Sequence, residues 1–195
     1  DTQGIVKNYG FLGSLHFRQG NYLQAETYYL RCQRINEVEK WKNSPQNIAN
    51  LGLTYMNLGL YKKGIDCIST ELFRLETAKD KVGIGILYVN LGIIWVEKDN
   101  ISAALPCFEK GLIVGEQTGD KLLCSIALGC IGNIWRIRGE FSKSEAYLLR
   151  DLEICESLGD LQGLAIVNEL IARLHITKGE FLKAISALND SLALA

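Results

Sequence analysis

The residues of this chain best suited to chemistry are two histidines, His16 and His175, and six cysteines. A histidine can act as a general base or a metal ligand, and a cysteine beside a histidine can act as a nucleophile. The histidines lie near opposite ends of the sequence, and no two cysteines show the Cys-x-x-Cys spacing of a zinc site. We therefore predict no catalytic residue, no metal site and no cofactor, and a protein that is not an enzyme.

Two further motifs are also poor candidates for a chemical site. Gly83-x-Gly85 has no third glycine and no predicted strand before it, so it does not fit a phosphate-binding loop. Asp151 and Glu153 form an acidic pair, which we interpret as part of a solvated helix face.

The composition narrows the classes of partner. Net charge is −1 over 195 residues, with both signs interleaved, whereas nucleic-acid binding usually needs a basic face. No window approaches the roughly 20 apolar residues of a membrane span, so we predict neither a nucleic-acid nor a membrane partner. Six cysteines without a pairing pattern indicate a reducing compartment, which we take to be the cytoplasm.

A unit of about forty residues occurs five times in the sequence. Its first landmark is an apolar residue followed by a small one, at Leu12-Gly13, Leu51-Gly52, Leu91-Gly92, Ile131-Gly132 and Ile171-Ala172. The second landmark follows the small residue by seven positions, at Gly20, Gly59, Asp99, Gly139 and Gly179. Such a period is typical of stacked repeats, in which each unit buries its apolar face against its neighbours.

Apolar residues at helical spacing predict two amphipathic helices in each unit, with the glycine or Asp99 in the turn between them. The junctions between units are predicted at 79–81, at Gly119-Asp120 and at Gly159-Asp160, where Asp would cap the next helix. Pro106 lacks an N–H group, so we expect a late or distorted start of its helix.

These landmarks resemble the tetratricopeptide repeat family. The fourth unit carries the pattern most completely, as Leu128, Ile131-Gly132, Trp135, Gly139, Phe141, Ser144 and Leu148. The resemblance implies an all-α fold, a right-handed α-solenoid of five helix-turn-helix repeats. Its forty-residue period is similar to the longer-repeat branch of the family. We expect one domain over residues 1–195, with repeats at about 3–42, 43–81, 82–120, 121–160 and 161–195.

In that family the first helix of each repeat lines a concave groove. Carrying these positions over gives candidate partner-binding residues, which are Asn50, Leu53, Met56, Asn57, Val89, Asn90, Ile93, Asn133, Arg136 and Arg173. An apolar trough edged by amides favours a peptide or helix of a protein partner. An alternative remains open, in which Leu53, Val89, Ile93 and Ile126 only pack against neighbouring repeats.

We therefore predict a protein–protein interaction scaffold. The alternative function is a regulatory or sensor region of a larger bacterial signalling protein, such as a STAND ATPase, a transcription activator or a CHAT-type protease. In that case another domain of the same protein could fill the groove. The sequence starts without Met and ends on an apolar helix face, from which we expect a fragment, and exposed solenoid ends that could pair into a homodimer.

Overall fold

A computed structural model describes residues 1–77 and 83–192, and within these ranges it contains ten helices and no strand. The helices are α1 (Thr2–Arg18), α2 (Tyr22–Val38), α3 (Pro45–Asn57), α4 (Tyr61–Thr77), α5 (Ile84–Glu97), α6 (Ile101–Thr118), α7 (Lys121–Ile137), α8 (Phe141–Leu158), α9 (Leu161–Lys178) and α10 (Phe181–Leu192). Each predicted repeat contributes two of them.

The chain divides into two compact units, Asp1–Cys107 (unit 1) and Phe108–Ala195 (unit 2). In unit 1, α1 packs against α2 and α3 against α4, while α3 also contacts α1, α2 and α5. In unit 2, α7 packs against α8 and α9 against α10, while α9 also contacts α7 and α8. Helix pairs that stack on the next pair are the packing of an α-solenoid, so the predicted fold class is confirmed.

Close approach of the two helices in a repeat depends on its small residue. A Cβ atom added at Gly52 would lie 2.5 Å from Ile68 Cδ1. One added at Gly132 would lie 2.8 Å from Leu148 Cδ2. Because Ile68 and Leu148 are fully buried in the cores of their units, a larger residue at either glycine would push the helices apart.

The turn inside each repeat needs a left-handed backbone. Gly59 has φ +74°, and Asp99 adopts φ +58° at the equivalent position of the third repeat. Asp enters this region more easily than most side chains, so the predicted substitution is confirmed. The junction caps are confirmed too: the backbone N–H groups of Leu123 and Gly163 donate to the side chains of Asp120 and Asp160. The junction predicted at 79–81 lies outside the described residues.

The late helix start expected at Pro106 was wrong. Helix α6 starts at Ile101 and continues through Pro106 to Thr118. Pro106 removes the hydrogen bond to the carbonyl of Ser102, but both residues are exposed. Water can therefore satisfy that carbonyl, and the N–H of Ala103 is held by the side chain of Asn100, which starts the helix.

Candidate functional site

The two histidines lie in separate, partly buried settings. The ring of His16 stacks on Tyr28 with centroids 5.3 Å apart, and its Nδ1 atom is buried without a hydrogen-bond partner. His175 Nδ1 lies 2.8 Å from Glu180 Oε2. No group of three or more His, Cys, Asp or Glu side chains within 1–77 and 83–192 could hold a metal ion. The same ranges contain no helix long and apolar enough to cross a membrane.

The six cysteines are all thiols rather than disulfides. Burial raises the pKa of Cys32 and of Cys67 to about 11, with the Glu71 charge contributing at Cys67. Burial, followed by the Asp151 charge, raises the pKa of Cys130 to about 12. Thiols with such pKa values stay protonated near neutral pH, which is the opposite of the activation that a nucleophilic cysteine needs.

Seven of the predicted partner-binding residues lie in unit 1, on α3 and α5; we call them the α3/α5 face. Leu53, Met56 and Ile93 are partly buried and Asn57 is exposed, whereas Val89 and Asn90 are buried. The seven residues are Asn50, Leu53, Met56, Asn57, Val89, Asn90 and Ile93. Val89, at 3% exposure, therefore packs inside the unit.

The asparagines of the α3/α5 face already use part of their hydrogen-bonding capacity. Asn57 Nδ2 donates to the carbonyl of Leu53 at 2.9 Å, and Asn90 Nδ2 donates to the carbonyl of Ile86 at 2.7 Å. Asn50 accepts from Gln46. A carboxamide has two N–H donors and an acceptor oxygen. One such bond therefore orients the side chain and leaves other donors or acceptors for a partner.

The other three predicted residues lie in unit 2, on α7 and α9. Arg136 donates through Nε and Nη2 to Asn133 Oδ1, at 3.1 and 2.9 Å, and through Nη1 to Thr177 Oγ1 at 3.3 Å. Arg173 forms an ion pair with Glu169 at 2.5 Å. Burial, and then the nearby Arg173 charge, lowers the pKa of Arg136. Arg136 is therefore oriented by three hydrogen bonds, whereas the Glu169–Arg173 pair is about half exposed and restrains its guanidinium group only weakly.

Four isoleucines accompany these polar residues on α7 and α9. They are about half exposed: Ile126 at 45%, Ile137 at 51%, Ile166 at 52% and Ile176 at 49%. Together with Asn133, Arg136 and Arg173 they form what we call the α7/α9 face. The repeat pattern places the isoleucines on the inner side of their helices, but such exposure cannot be read from a single sequence.

A cavity of about 340 Å³ opens in unit 2 beside this face. Its apolar walls come from α7 and α9, and include Leu122, Ile126, Ile166 and Leu170. Asp151, from α8, also lines it. Further lining residues are Ser125, Gly129, Cys130, Asp160, Gln162 and Gly163.

Asp151 corrects the interpretation of the acidic pair 151/153 as solvated. Asp151 is only 4% exposed, whereas Glu153 is exposed. Asp151 Oδ1 accepts a hydrogen bond from Ser125 Oγ at 2.5 Å and a weaker one from Cys155 Sγ at 3.5 Å. Burial raises the pKa of this carboxyl, the hydrogen bonds from Ser125 and Cys155 oppose the rise, and the Asp160 charge adds to it. Helical periodicity alone does not separate a buried acid from an exposed one two residues away.

Comparison with known proteins supports the fold. Residues 6–39 match the family model described as tetratricopeptide repeat. The sequence has no significant match among the curated proteins.

Several solved structures are similar in fold. BtubC from P. vanneervenii has a TM-score of 0.81 at 15% identity, over 98% of this chain and 80% of that chain. TTC0263, a thermophilic TPR protein in Thermus thermophilus, has a TM-score of 0.71 at 19% identity, over 97% and 91%. NprR is a quorum sensor from B. thuringiensis. Its complex with its cognate peptide NprX has a TM-score of 0.72 at 19% identity, over 94% of this chain and 53% of that chain.

Proposed function

Since this chain has the tetratricopeptide repeat fold, with the family's repeat at residues 6–39, we propose that it is a non-catalytic module that binds a peptide or helix of a protein partner. The partner would lie along the first helices of the repeats. Contacts would come from the α3/α5 face in unit 1 and from the α7/α9 face in unit 2, each considered separately.

The observation that carries this proposal is the half-exposed set of isoleucines on α7 and α9. Two lie on each helix, and the guanidinium groups of Arg136, which is hydrogen-bonded to Asn133, and of Arg173, which is paired with Glu169, accompany them. Covering apolar surface stabilises a complex by about 25 cal/mol per Å² before the costs of association. A polar group already oriented beside an apolar surface, as Arg136 is by Asn133 and Thr177, orients a bound segment at little cost in side-chain entropy.

On the α3/α5 face the corresponding apolar contacts would be Leu53, Met56 and Ile93. Asn57 is exposed at the edge, where its carboxamide could bond the backbone of an extended peptide. Val89 and Asn90 are buried, so they would pack inside unit 1 and hold the two helices of this face together without contacting the peptide. The NprR structure contains a bound peptide, which supports a peptide as one kind of occupant for this fold.

Peptide display tests the proposal even though the partner is unidentified. Peptides are selected from a random library on the wild-type chain and then measured against three variants by fluorescence anisotropy. Leu53→Ala with Ile93→Arg alters the α3/α5 face, and Ile137→Glu with Ile176→Glu alters the α7/α9 face. The control, Leu149→Glu, places the same charge on a residue of α8 that is 48% exposed.

We expect at least one face variant to weaken the selected peptides by more than about tenfold, as loss of an interface hot spot does. The control should bind as the wild type, and circular dichroism should show unchanged helix content in all three. Peptides that bind every variant equally would contradict the proposal.

A second candidate function is the sensor region of a longer signalling protein. It is favoured by the fold similarity to NprR, a quorum sensor, in which the aligned region covers 53% of the NprR chain.

The six unbridged cysteines support our placement of the protein in a reducing compartment such as the cytoplasm. Sequencing the gene on both sides of this segment tests the sensor function, because a nucleotide-binding, protease or DNA-binding domain in the same chain would favour it over a free-standing scaffold.

A further inference from the structure

The charge of Asp151 is not balanced within the described part of the chain. Its side chain is almost wholly buried, and among the described residues its hydrogen bonds, from Ser125 and Cys155, reach only Oδ1. No Lys, Arg or His within 1–77 and 83–192 forms an ion pair with it. A buried carboxylate is costly unless a cation or several hydrogen bonds compensate it.

The second repeat shows how this chain balances such a group elsewhere. Glu71 occupies the repeat position of Asp151, eighty residues earlier, and is also buried, at 5% exposure. Arg74 donates to both of its oxygens and forms an ion pair at 2.5 Å. In the fourth repeat the position of Arg74 is taken by Ile154. The acid is retained there and the internal cation is replaced by an apolar residue.

The space beside Asp151 suits a cation with an apolar stem. Gly129 faces the unbonded oxygen: a Cβ at this position would lie 2.8 Å from Asp151 Oδ2, so the absence of a side chain keeps that oxygen approachable. Ile126 and Ile166 line the same cavity and are about half exposed, so it opens to solvent. Asp160 supplies a second carboxylate at the edge. The cavity, at about 340 Å³, is within the range of small-ligand sites.

We propose that the cavity between α7, α8 and α9 binds a lysine or arginine side chain of the partner segment, with Asp151 as its counter-ion. The aliphatic stem contacts Ile126, Ile166 and Leu170, and the charged end pairs with the carboxylate of Asp151, as Arg74 pairs with Glu71. This inference names a specificity pocket of the proposed peptide-binding face and rests on that function. A neutral side chain of equal length would leave the carboxylate uncompensated and is disfavoured.

Small probes test the pocket directly. n-Butylguanidinium and n-butylammonium represent the two side chains, and n-pentanol is the neutral control. Each is titrated into the ¹⁵N-labelled wild-type chain, and amide shifts of Gly129 and Gly163 are followed by NMR. We expect saturable shifts at these amides with the two cations, and at least tenfold weaker binding of the alcohol. Equal binding of alcohol and cations, or shifts that do not involve these amides, would overturn the proposal.

Variants then assign the effect to Asp151. Asp151→Asn keeps the shape and the acceptor for Ser125, and should weaken n-butylguanidinium at least tenfold. Ile154→Arg reproduces the i,i+3 spacing of Glu71 and Arg74, so an internal ion pair with Asp151 should compete with the probe while leaving Asp151 in place. The control Glu153→Gln removes an exposed charge two residues away and should bind as the wild type. Unchanged binding by both Asp151→Asn and Ile154→Arg would overturn the proposal, and if neither folds, the comparison of probes on the wild type decides.

The outcome separates this inference from the proposed function. If the wild type binds n-butylguanidinium but no selected peptide depends on either face, the pocket stands and the peptide-binding function fails. If peptides depend on the α7/α9 face, yet replacing their Lys and Arg by norleucine leaves affinity unchanged, the function stands and the pocket assignment fails. When both hold, the norleucine peptides should bind the wild type at least tenfold more weakly and Asp151→Asn should abolish that difference.

Discussion

Ser125 on α7 donates a hydrogen bond from Oγ to Asp151 Oδ1 on α8 at 2.5 Å, and this buried pair joins the two helices of the fourth repeat. One hydroxyl is a weak substitute for a cation, and burial still raises the pKa of Asp151 above its ordinary 3.8. The folded chain therefore holds the Asp151 proton more tightly than the unfolded chain does. Ionisation of this carboxyl therefore lowers the free energy of unfolding.

The first prediction is a pH-dependent gain in stability from Asp151→Asn. Well below pH 3.8 Asp151 is protonated in both states and imposes no charge penalty. As pH rises, the unfolded chain loses the proton first, so wild-type stability falls relative to the variant until the folded carboxyl also ionises. Each unit by which the folded pKa is raised corresponds to about 1.4 kcal/mol.

Urea unfolding of both proteins between pH 4 and pH 8 measures this difference. Glu153→Gln is the control and should show little change in its difference from the wild type, because Glu153 is exposed. If the stability advantage of Asp151→Asn is constant or shrinks with rising pH, burial does not destabilise the ionised form of Asp151. Asp160, Cys130 and Cys155 are the other titratable groups near Asp151, and they are identical in both proteins.

The second prediction concerns the close approach of α7 and α8. Gly132→Ala would place a Cβ 2.8 Å from Leu148, which is fully buried and cannot move into solvent. Overpacking lowers the free energy of unfolding by about 1–3 kcal/mol. Replacing a helical glycine by alanine raises it by about 1 kcal/mol, because alanine has the higher helix propensity. We therefore expect a net loss of up to about 2 kcal/mol in the free energy of unfolding.

A double-mutant cycle with Leu148→Ala separates the steric cost from other effects. Leu148→Ala alone should cost about 2–5 kcal/mol through the cavity it leaves. In the double variant the added methyl group has room, so the combined loss should be smaller than the two single losses added together. Strict additivity would show that Gly132 is not needed for helix contact.

The fold could be predicted from the sequence because repetition averages out local ambiguity. A single Ile-Gly pair such as Ile131-Gly132 says little, but five equivalent pairs with a turn residue seven positions later define two helices per repeat. The exception was Pro106, where one lost hydrogen bond at the surface did not outweigh the rest of α6.

The candidate site was less predictable because burial depends on neighbouring helices. The repeat pattern placed both Leu53 and Val89 on the inner side of their helices, yet Leu53 is partly buried and Val89 is only 3% exposed. Asp151 was missed because its burial depends on the contact of α8 with α7 and α9. The sequence did contain a signal. Glu71 and Asp151 are acids at equivalent positions of the second and fourth repeats, but the position of Arg74, three residues after Glu71, is occupied by Ile154 in the fourth repeat.

The third prediction is that Pro106→Ala stabilises the chain. Alanine restores the hydrogen bond to Ser102 and removes the clash of the proline ring with the preceding turn. Proline also restricts the unfolded chain, which offsets part of this gain by about 0.4–1 kcal/mol. Alanine is favoured over proline in a helix interior by about 3 kcal/mol, so we expect a net gain of about 2 kcal/mol by urea unfolding.

Ser102→Ala is the matched control for Pro106→Ala, because Ser102 is exposed on the same helix and should change stability by less than about 0.5 kcal/mol. Loss of stability in Pro106→Ala would show instead that the proline rigidifies α6 to the benefit of the fold.

The fourth prediction is slow reaction of the Cys130 thiol in the folded chain. With its pKa raised from 9.0 to about 12, the thiolate fraction at pH 8 is about 1,000-fold lower than that of an ordinary cysteine. We expect iodoacetamide to label Cys130 at least about 100-fold more slowly in buffer than in 8 M urea, as measured by peptide mass spectrometry. The Cys155 thiol, whose pKa is also raised by burial, should be protected in the same digest. Equal labelling of Cys130 in buffer and in urea would mean that the cavity wall opens on the time scale of the reaction, and that the Asp151 pocket is not a fixed feature of unit 2.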